Sequence, residues 1–255
     1  SKPEVVIQIS GTDFYGMEPR EQCDESAPTG SDFMAEVGRM HEEPLAGLTG
    51  PTRLCVARMG LVLGWEGGGL PQLWDVYASG CGGALGRGQQ WINWVHLQDV
   101  VNFFFQAVTQ TRFHGVYNLV APGNATNRQL HRALCSYTRS LDLVTAPKLY
   151  LKAMMGERAN FLLQAPKVLT PRLVEHGYDY LYPDLESALS QLVSERERPR
   201  AHGVSVRQWL PIDKPTWSAF GEVVPSAAPP LCAWWHHHQR VRPFAGGILI
   251  DDHFE

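Results

Sequence analysis

The sequence predicts an α/β fold built on parallel strands, and three observations lead there. The run Val5-Val6-Ile7-Gln8-Ile9 has the near-continuous apolar character of a buried parallel strand. Similar runs recur at Arg53–Met59 and Val116–Val120. Between these two lies the most regular helix, Asp99–Gln110, where Val100, Val101, Phe104, Phe105 and Val108 recur at i, i+1, i+4, i+5 and i+8. Strands alternating with helical patterns are the signature of a parallel sheet.

The remaining elements follow in order. Residues Gly16 to Ser31 are rich in Pro, Gly, Asp and Glu and read as a loop. Phe33–Leu45 reads as a helix with Phe33, Met34, Val37 and Met40 along its apolar side. Gly64 to Gly88 is dense in glycine and reads as a long excursion through unusual dihedrals. Asn127–Ser140 is a helix opened by Thr126-x-x-Gln129, a capping-box pattern. Lys148–Met155 and Ala159–Gln164 read as short apolar helices, Thr170-Pro171 as an N-cap and first helical residue, and Asp184 as the cap of a last helix to about Ser194.

Beyond Ser194 the composition changes. The charged stretch Arg196-Glu197-Arg198-Pro199-Arg200 leads into a proline-punctuated segment without lasting periodicity, which carries Trp209, Trp217, Trp234 and Trp235. A solvating tail would be poor in aromatic residues. The sequence therefore divides into 1–122, a partial sheet region, 123–194, a small lobe, and 195–255, an extended arm whose four tryptophans are expected to anchor it to a partner. Val5 and Ile7 join them as interface candidates, because an apolar edge strand needs cover.

Bulk properties narrow the function. A net charge of −4 and a pI near 6.2 give no electrostatic case for nucleic acid as the main partner. The five cysteines are scattered and none forms C-x-x-C, so reduced thiols are expected rather than a disulfide framework. No apolar run reaches the length of a membrane span. The chain opens on Ser1 rather than Met, as expected of a processed product.

Several blocks carry a family resemblance. They are Ile9-Ser10-Gly11-Thr12-Asp13-Phe14-Tyr15-Gly16; Arg58-Met59-Gly60-Leu61-Val62-Leu63-Gly64 with Gly67-Gly68-Gly69; Gly86-Arg87-Gly88-Gln89-Gln90-Trp91; Trp94-Val95-His96-Leu97-Gln98-Asp99; Tyr117-Asn118-Leu119-Val120-Ala121-Pro122; and Gly177-Tyr178 through Tyr182-Pro183-Asp184-Leu185. In order and spacing, from about Val5 to Leu192, the chain resembles the atypical extended short-chain dehydrogenases/reductases, in the epimerase-like branch with a short C-terminal domain of unknown function. The resemblance implies the C-terminal half of a Rossmann-like doubly wound sheet plus a small substrate lobe. It places Ser10-Gly11-Thr12 at the end of the family's fifth strand. The first four strands and the phosphate turn, roughly 110 to 120 residues by ordinary βα-unit sizes, would then be missing. No G-x-G-x-x-G or G-x-x-G-x-x-G falls between a predicted strand and a predicted helix.

Reductases of this class use a Tyr-x-x-x-Lys pair for proton transfer. The equivalent helix offers Phe33-Met34-Ala35-Glu36-Val37, with neither hydroxyl nor ammonium. Ser10 or Thr12 could polarise a substrate carbonyl, although strand-end hydroxyls commonly satisfy a turn. Tyr15 is the third weak catalytic candidate, better read as packing or hydrogen bonding. His96 and Asp99 read as helix entry, with Asp99 complementing the macrodipole. Trp91 and Trp94 read as core filling beside the glycine-rich excursion. His236-His237-His238, with Cys232, Asp251, Asp252 and His253, lacks a zinc spacing, so no metal is expected.

These readings combine into an expectation of a non-catalytic accessory subunit, binding no cofactor. It would stabilise a large assembly, mitochondrial and of respiratory-chain type, alongside other protein subunits; chloroplast and cytoplasm are the alternative locations. The competing expectation is one half of a split NADP-dependent epimerase or reductase, with a second polypeptide completing the sheet. A third is that the sequence omits its own N-terminal part.

Overall fold

A computed structural model describes residues 3–17, 22–48, 50–66, 69–80, 82–138, 140, 145–146, 164–197, 242–244 and 247–249. In chain order the strands are β1 Val5–Gly11, β2 Arg53–Met59, β3 Leu61–Leu63, β4 Ala84–Leu85, β5 Trp91–Ile92, β6 Trp94–His96, β7 Gly115–Leu119, β8 Ala125–Thr126 and β9 Thr145–Ala146. The helices are α1 Phe33–Ala46, α2 Leu70–Ala78, α3 Leu97–Thr109, α4 Asn127–Thr138, α5 Pro171–Glu175 and α6 Leu185–Glu197. These elements lie in one compact unit, Ser1–Arg198. A second unit, Pro199–Glu255, holds an antiparallel pair, β10 Arg242–Phe244 with β11 Gly247–Leu249.

The central sheet is parallel, in the order β1-β2-β7. Ser10 lies opposite Arg58, and Arg58 opposite Asn118. Because strand side chains alternate, Gln8, Ser10, Val56, Arg58 and Asn118 share one face. Ile7, Cys55, Ala57, Tyr117 and Leu119 share the other. Helix α1 lies against the first face, where Glu42 reaches Arg58. Helix α3 covers the second, burying Val100, Phe103 and Ala107 against Cys55, Ala57, Tyr117 and Leu119. Helices on both faces of a parallel sheet make the doubly wound, Rossmann-like α/β fold that the sequence predicts.

A second core joins Leu63, Trp74, Tyr77 and Trp94 to Leu130, Leu134, Leu189 and Leu192. It crosses the boundary drawn at residue 122 from the sequence. Two polar groups fix the junction. The buried Asp99 carboxylate accepts from the backbone N–H groups of Leu181 at 2.7 Å and Tyr182 at 3.1 Å. His96 caps α3 by accepting from Gln98 N at 3.1 Å, while its Nε2 lies 3.0 Å from Gln191 Oε1 on α6. The predicted capping box of α4 is present in both directions, Thr126 N to Gln129 Oε1 and Gln129 N to Thr126 Oγ1. Asp184 caps α6 through Ser187 N.

Two local expectations are overturned and a third is met in part. Helix α1 buries Ala35 and Gly38, leaving Phe33 and Met40 exposed. A Cβ on Gly38 would stand 3.1 Å from Phe14 Cα, so the face that packs must be small rather than greasy. The glycine-rich excursion contains α2, which starts with Pro71 in its first turn and buries Leu70, Trp74 and Tyr77. Thr170 and Pro171 do open α5 as N-cap and first helical residue, but the Thr170 side chain caps no N–H group; its hydroxyl is 3.0 Å from the Tyr180 hydroxyl. The short helices expected within 148–164 lie outside the described residues, apart from Gln164, which is not helical.

Burial holds the His96 imidazole below its usual range, against weaker opposing pulls from Gln191 and Glu195. With the native group harder to protonate than the unfolded one, the unfolded chain takes up the proton first. Stability is therefore complete above about pH 6.5 and falls as pH drops below it. His96→Asn keeps a capping oxygen and removes the titration. Urea unfolding at pH 7.5 and 5.5 should show the wild-type protein losing about 1 kcal/mol more than the variant across that interval. Asp99 titrates in both proteins and cancels in the comparison.

Candidate functional site

In open parallel sheets, ligands bind at the carboxyl ends of the strands. Here those ends gather an unusual amount of buried charge on the α1 face. Arg58, a buried guanidinium inside the apolar strand β2, is its centre. It donates to both oxygens of Glu42, Nε to Oε1 at 2.9 Å and Nη2 to Oε2 at 2.7 Å. The two side chains are 6% and 12% exposed. Its Nη1 donates to Tyr15 Oη at 3.0 Å, and its planar head stacks 3.4 Å from the centre of the Phe14 ring.

Tyr15 passes the chain of hydrogen bonds onward by donating to Asn118 Oδ1 at 2.6 Å. Asn118 Nδ2 donates to Leu169 O, and Asn118 N donates to Glu25 Oε1 at 3.1 Å. The second Glu25 oxygen is buried without a partner, and burial pushes this carboxyl upward. Burial also raises the Tyr15 hydroxyl to about 12, despite the neighbouring guanidinium. Tyr15 is fully buried with its hydroxyl engaged twice, which makes it a structural hub.

Ser10 and Asp13 lie at the end of β1 and in the turn that follows it. Ser10 Oγ is buried at the end of β1 and has no hydrogen-bond partner. Asp13 follows in a single 3-10 turn, Thr12–Tyr15. A Cβ on Gly11 would fall 1.9 Å from Asp13 Oδ1, so the carboxylate folds back over a backbone position that only glycine leaves open. Burial raises the Asp13 carboxyl; Asp32 and Glu42 raise it further, while its own backbone amide and His41 pull the other way. Thr12 is half-buried in the same turn.

Among the sequence candidates, the structure thus brings Ser10, Thr12 and Tyr15 to one strand end. Val5 and Ile7 lie on β1, the edge strand of the described sheet; both are half-buried, and Ile7 packs into the α3 core. Trp209, Trp217, Trp234 and Trp235 lie outside the described residues, as do His236–His238, Cys232, Asp251, Asp252 and His253. Among the described residues no metal-competent cluster occurs, and Cys23, Cys55 and Cys135 are buried thiols outside any disulfide. Trp94 is core; Trp91 is half-buried beneath the Lys167 ammonium, 4.9 Å from its ring centre. The glycines with a G-x-x-G-x-x-G spacing, Gly80, Gly83 and Gly86, flank β4 after the end of α2, the wrong context for a pyrophosphate. Two concavities, about 370 Å³ beside Pro122, Val168 and Thr170 and about 520 Å³ beside Arg87 and Arg128, lie away from Ser10 and Asp13.

Sequence reasoning missed Glu25, Glu42, Arg58 and Asn118. An arginine within RLCVARM is a readable signal, because a charge inside a buried strand demands a partner. Which of the many acidic residues answers it is set by the tertiary fold.

Comparison with known proteins shows similarity in sequence and in fold. Residues 146–192 match the family model "Domain of unknown function (DUF1731)". The chain is 32% identical over 193 residues to the Arabidopsis thaliana "Epimerase family protein SDR39U1 homolog, chloroplastic", covering 76% of this chain and 56% of that one. It is 30% identical over 194 residues to the human "Epimerase family protein SDR39U1", covering 75% and 66%. The solved human protein, isoform 2 with NADPH, superposes with a TM-score of 0.69 at 30% identity, over 75% of this chain and 66% of that one. The homologues are epimerase-family proteins, and the chain spans a little over half to just under two thirds of their length.

These findings correct the expected function. In the relatives, the matched region is part of a longer single chain, and one relative was solved with NADPH. That overturns both the accessory subunit and the enzyme split over two polypeptides, and it gives no support to a nucleotide-binding half lost from the protein. The plant relative's name fits the chloroplast alternative, and no comparison supports a mitochondrial or respiratory-chain setting.

The Arg58–Glu42 pair has a direct energetic consequence. Glu42→Ala leaves a buried guanidinium without its bidentate partner and should cost about 3 kcal/mol or more. Pairing it with Arg58→Met should recover part of that loss, since the uncompensated charge is then gone. Urea denaturation of the three variants and the wild type checks both statements.

Proposed function

We propose that this homologue of the epimerase-family proteins supplies the substrate-facing part of an NAD(P)(H)-dependent, epimerase-like oxidoreductase. The reacting atoms would sit at the carboxyl ends of β1 and β2, on the α1 face. The observation that carries this reading is the Ser10 hydroxyl, buried and unpartnered where a parallel sheet takes its ligand. A native protein rarely leaves such a group unsatisfied unless a ligand or water completes it.

The residues fit the reactive end of a nicotinamide dinucleotide: an orphan hydroxyl, a half-buried carboxyl and a rigid floor of hydrogen-bonded side chains. They supply no glycine turn for its pyrophosphate. When bound, the dinucleotide supplies hydride transfer. The work of these residues is different. Ser10 donates a hydrogen bond to a substrate oxygen and fixes its position. Arg58, held by Glu42 and Phe14, keeps Tyr15 and Asn118 in place, so that the turn 12–15 presents Asp13 in one orientation. Tyr15 moves no proton, because its hydroxyl is already committed on both sides.

Two measurements test the reading. NADPH should bind the natural protein saturably, with a dissociation constant between about 1 µM and 1 mM, followed by energy transfer from tryptophan to the nicotinamide; absence of saturation at millimolar NADPH would sink it. Ser10→Ala removes an unsatisfied buried hydroxyl and should stabilise the unliganded protein by about 1 kcal/mol. A loss of stability would show instead that the hydroxyl is structural.

A further inference from the structure

We propose that Arg87 and Arg128 form an anion site that holds the phosphoryl group of a small, soluble phosphorylated ligand. The site lies away from Ser10 and the ends of β1 and β2, so the inference does not rest on the dinucleotide-dependent reading above.

A cavity of about 520 Å³ is lined by Arg87, Gly88, Gln89, Thr126 and Arg128, with no carboxylate among them. The local backbone explains why the two arginines meet. Arg87 sits between Gly86 and Gly88, both in the left-handed region at φ 59° and 66°, so the chain doubles back in a tight turn. That turn is tied to the start of α4. Asn127 N donates to Gln90 O at 2.9 Å, Arg128 N to Gly88 O at 2.9 Å, and Leu85 N to Asn127 Oδ1 at 2.8 Å. A Cβ on Gly88 would stand 3.0 Å from Arg128 Cβ, so turn and helix are in direct contact. The cavity wall is therefore rigid before any ligand arrives.

Its positive charge is uncompensated among the described residues. Arg128 gives Nε and Nη2 to one backbone carbonyl, Arg87 O, at 3.3 and 3.1 Å. A carbonyl positions a guanidinium without neutralising it. Arg128 Nη1 and the whole Arg87 guanidinium make no hydrogen bond or ion pair with a described residue. Arg39 and Arg58, by contrast, each meet a carboxylate. Two guanidiniums open to one cavity, one of them held in place, suit a tetrahedral dianion whose oxygens accept from several N–H groups. The start of α4 is not the donor, because its N–H groups at Asn127, Arg128 and Gln129 are already taken by Gln90 O, Gly88 O and Thr126 Oγ1.

A third cation stands on the same side. In the antiparallel pair of β5 and β8, Trp91 lies opposite Thr126 and Ile92 opposite Ala125. Ile92 and Ala125 turn into the second core, so Trp91 and Thr126 share the outer face. The Lys167 ammonium lies over the Trp91 ring, 4.9 Å from its centre. Three cations thus gather on one face of a chain whose net charge is −4. The cavity has the volume of an ordinary small-molecule site, which leaves room for the group that carries the phosphate.

The test is calorimetry of the natural protein with inorganic pyrophosphate. Binding should saturate at millimolar concentration or below. Arg87→Ala and Arg128→Gln should each weaken it at least about tenfold, with partial recovery in Arg128→Lys. Arg39→Ala, which removes an exposed cation from α1, should stay within about twofold of wild type. Arg87 is exposed and makes no bond to a described residue, so Arg87→Ala should keep the wild-type Tm and report binding alone. No saturation by pyrophosphate overturns the proposal. So does wild-type affinity in both Arg87→Ala and Arg128→Gln, or an equal loss in Arg39→Ala, which would mark diffuse attraction. Two further arms identify the source of the phosphoryl group. Millimolar NADPH should leave the pyrophosphate affinity unchanged; competition would give the cavity to the dinucleotide's own phosphates and overturn a separate ligand. Sedimentation with phosphatidylcholine vesicles containing phosphatidic acid should be the same for wild type and Arg87→Ala; a difference would assign the site to a lipid headgroup and overturn the soluble one.

Discussion

A guanidinium in the middle of a three-stranded sheet is the constraint on which the site depends. Arg58 occupies a position in β2 whose neighbours Val56 and Ala57 are core. Burying that charge is tolerable only if it is paired and each of its three nitrogens finds a partner. Glu42 meets two of them and so fixes how α1 lies on the sheet. Tyr15 meets a third and so fixes the turn after β1. Phe14 closes the face of the guanidinium, and its backbone in turn limits α1 to glycine at position 38. One unfavourable burial thus sets the placement of helix, turn and strand ends together. A site that needs side chains held to a fraction of an ångström benefits from such over-determination.

The layering of the fold was legible because its signals are local. The strands β1, β2 and β7 and helices α3 and α4 appear in the sequence with nearly the observed bounds, through apolar runs, a period near 3.6 and a capping box. Helix α1 shows the limit of that method. Its greasy residues define a side, yet the packed side is Ala35 and Gly38, chosen by how closely the helix must approach Phe14. Helix α2 was hidden for the opposite reason. Glycines on both sides drew attention to the flanks, while the nine residues between them hold a Pro-started helix anchored by Trp74 and Tyr77.

The site was legible only at its hydroxyls. Ser10, Thr12 and Tyr15 stood out because a motif frames them, and Tyr15 then proved to belong to the scaffold rather than the chemistry. Asp13 lay in the same motif and was passed over, since nothing in the sequence says that its carboxylate folds over Gly11. Glu25 and Asn118 are separated by 93 positions and meet only because the loop before α1 runs beside β7. In the sequence, the helix Phe33–Ala46 offers neither tyrosine nor lysine. The inference from that absence to a scaffold protein was the error, because the matched region of the relatives belongs to a longer single chain and one relative was solved with NADPH.

The two edges of the sheet are treated differently, and side-chain chemistry explains how. At β7 the outward N–H of Asn118 is taken by Glu25, while the outward carbonyl of Val116 and the carbonyl of His114 are taken by Arg172 at 2.6 and 3.1 Å. A strand added there would have to displace a buried carboxylate and a guanidinium stacked 4.8 Å above Tyr117. That edge is closed by charge, the usual defence against further pairing. At β1, no strand among the described residues pairs with the outer edge, and Ile9 is 48% exposed. On the neighbouring helix α3, Val101, Phe105 and Val108 form an exposed stripe at i, i+4 and i+7. The sheet is therefore built to end at β7 and to be continued or covered only on the β1 side. That is the side on which Ser10 and Asp13 close the last strand end, so whatever covers β1 also walls the site.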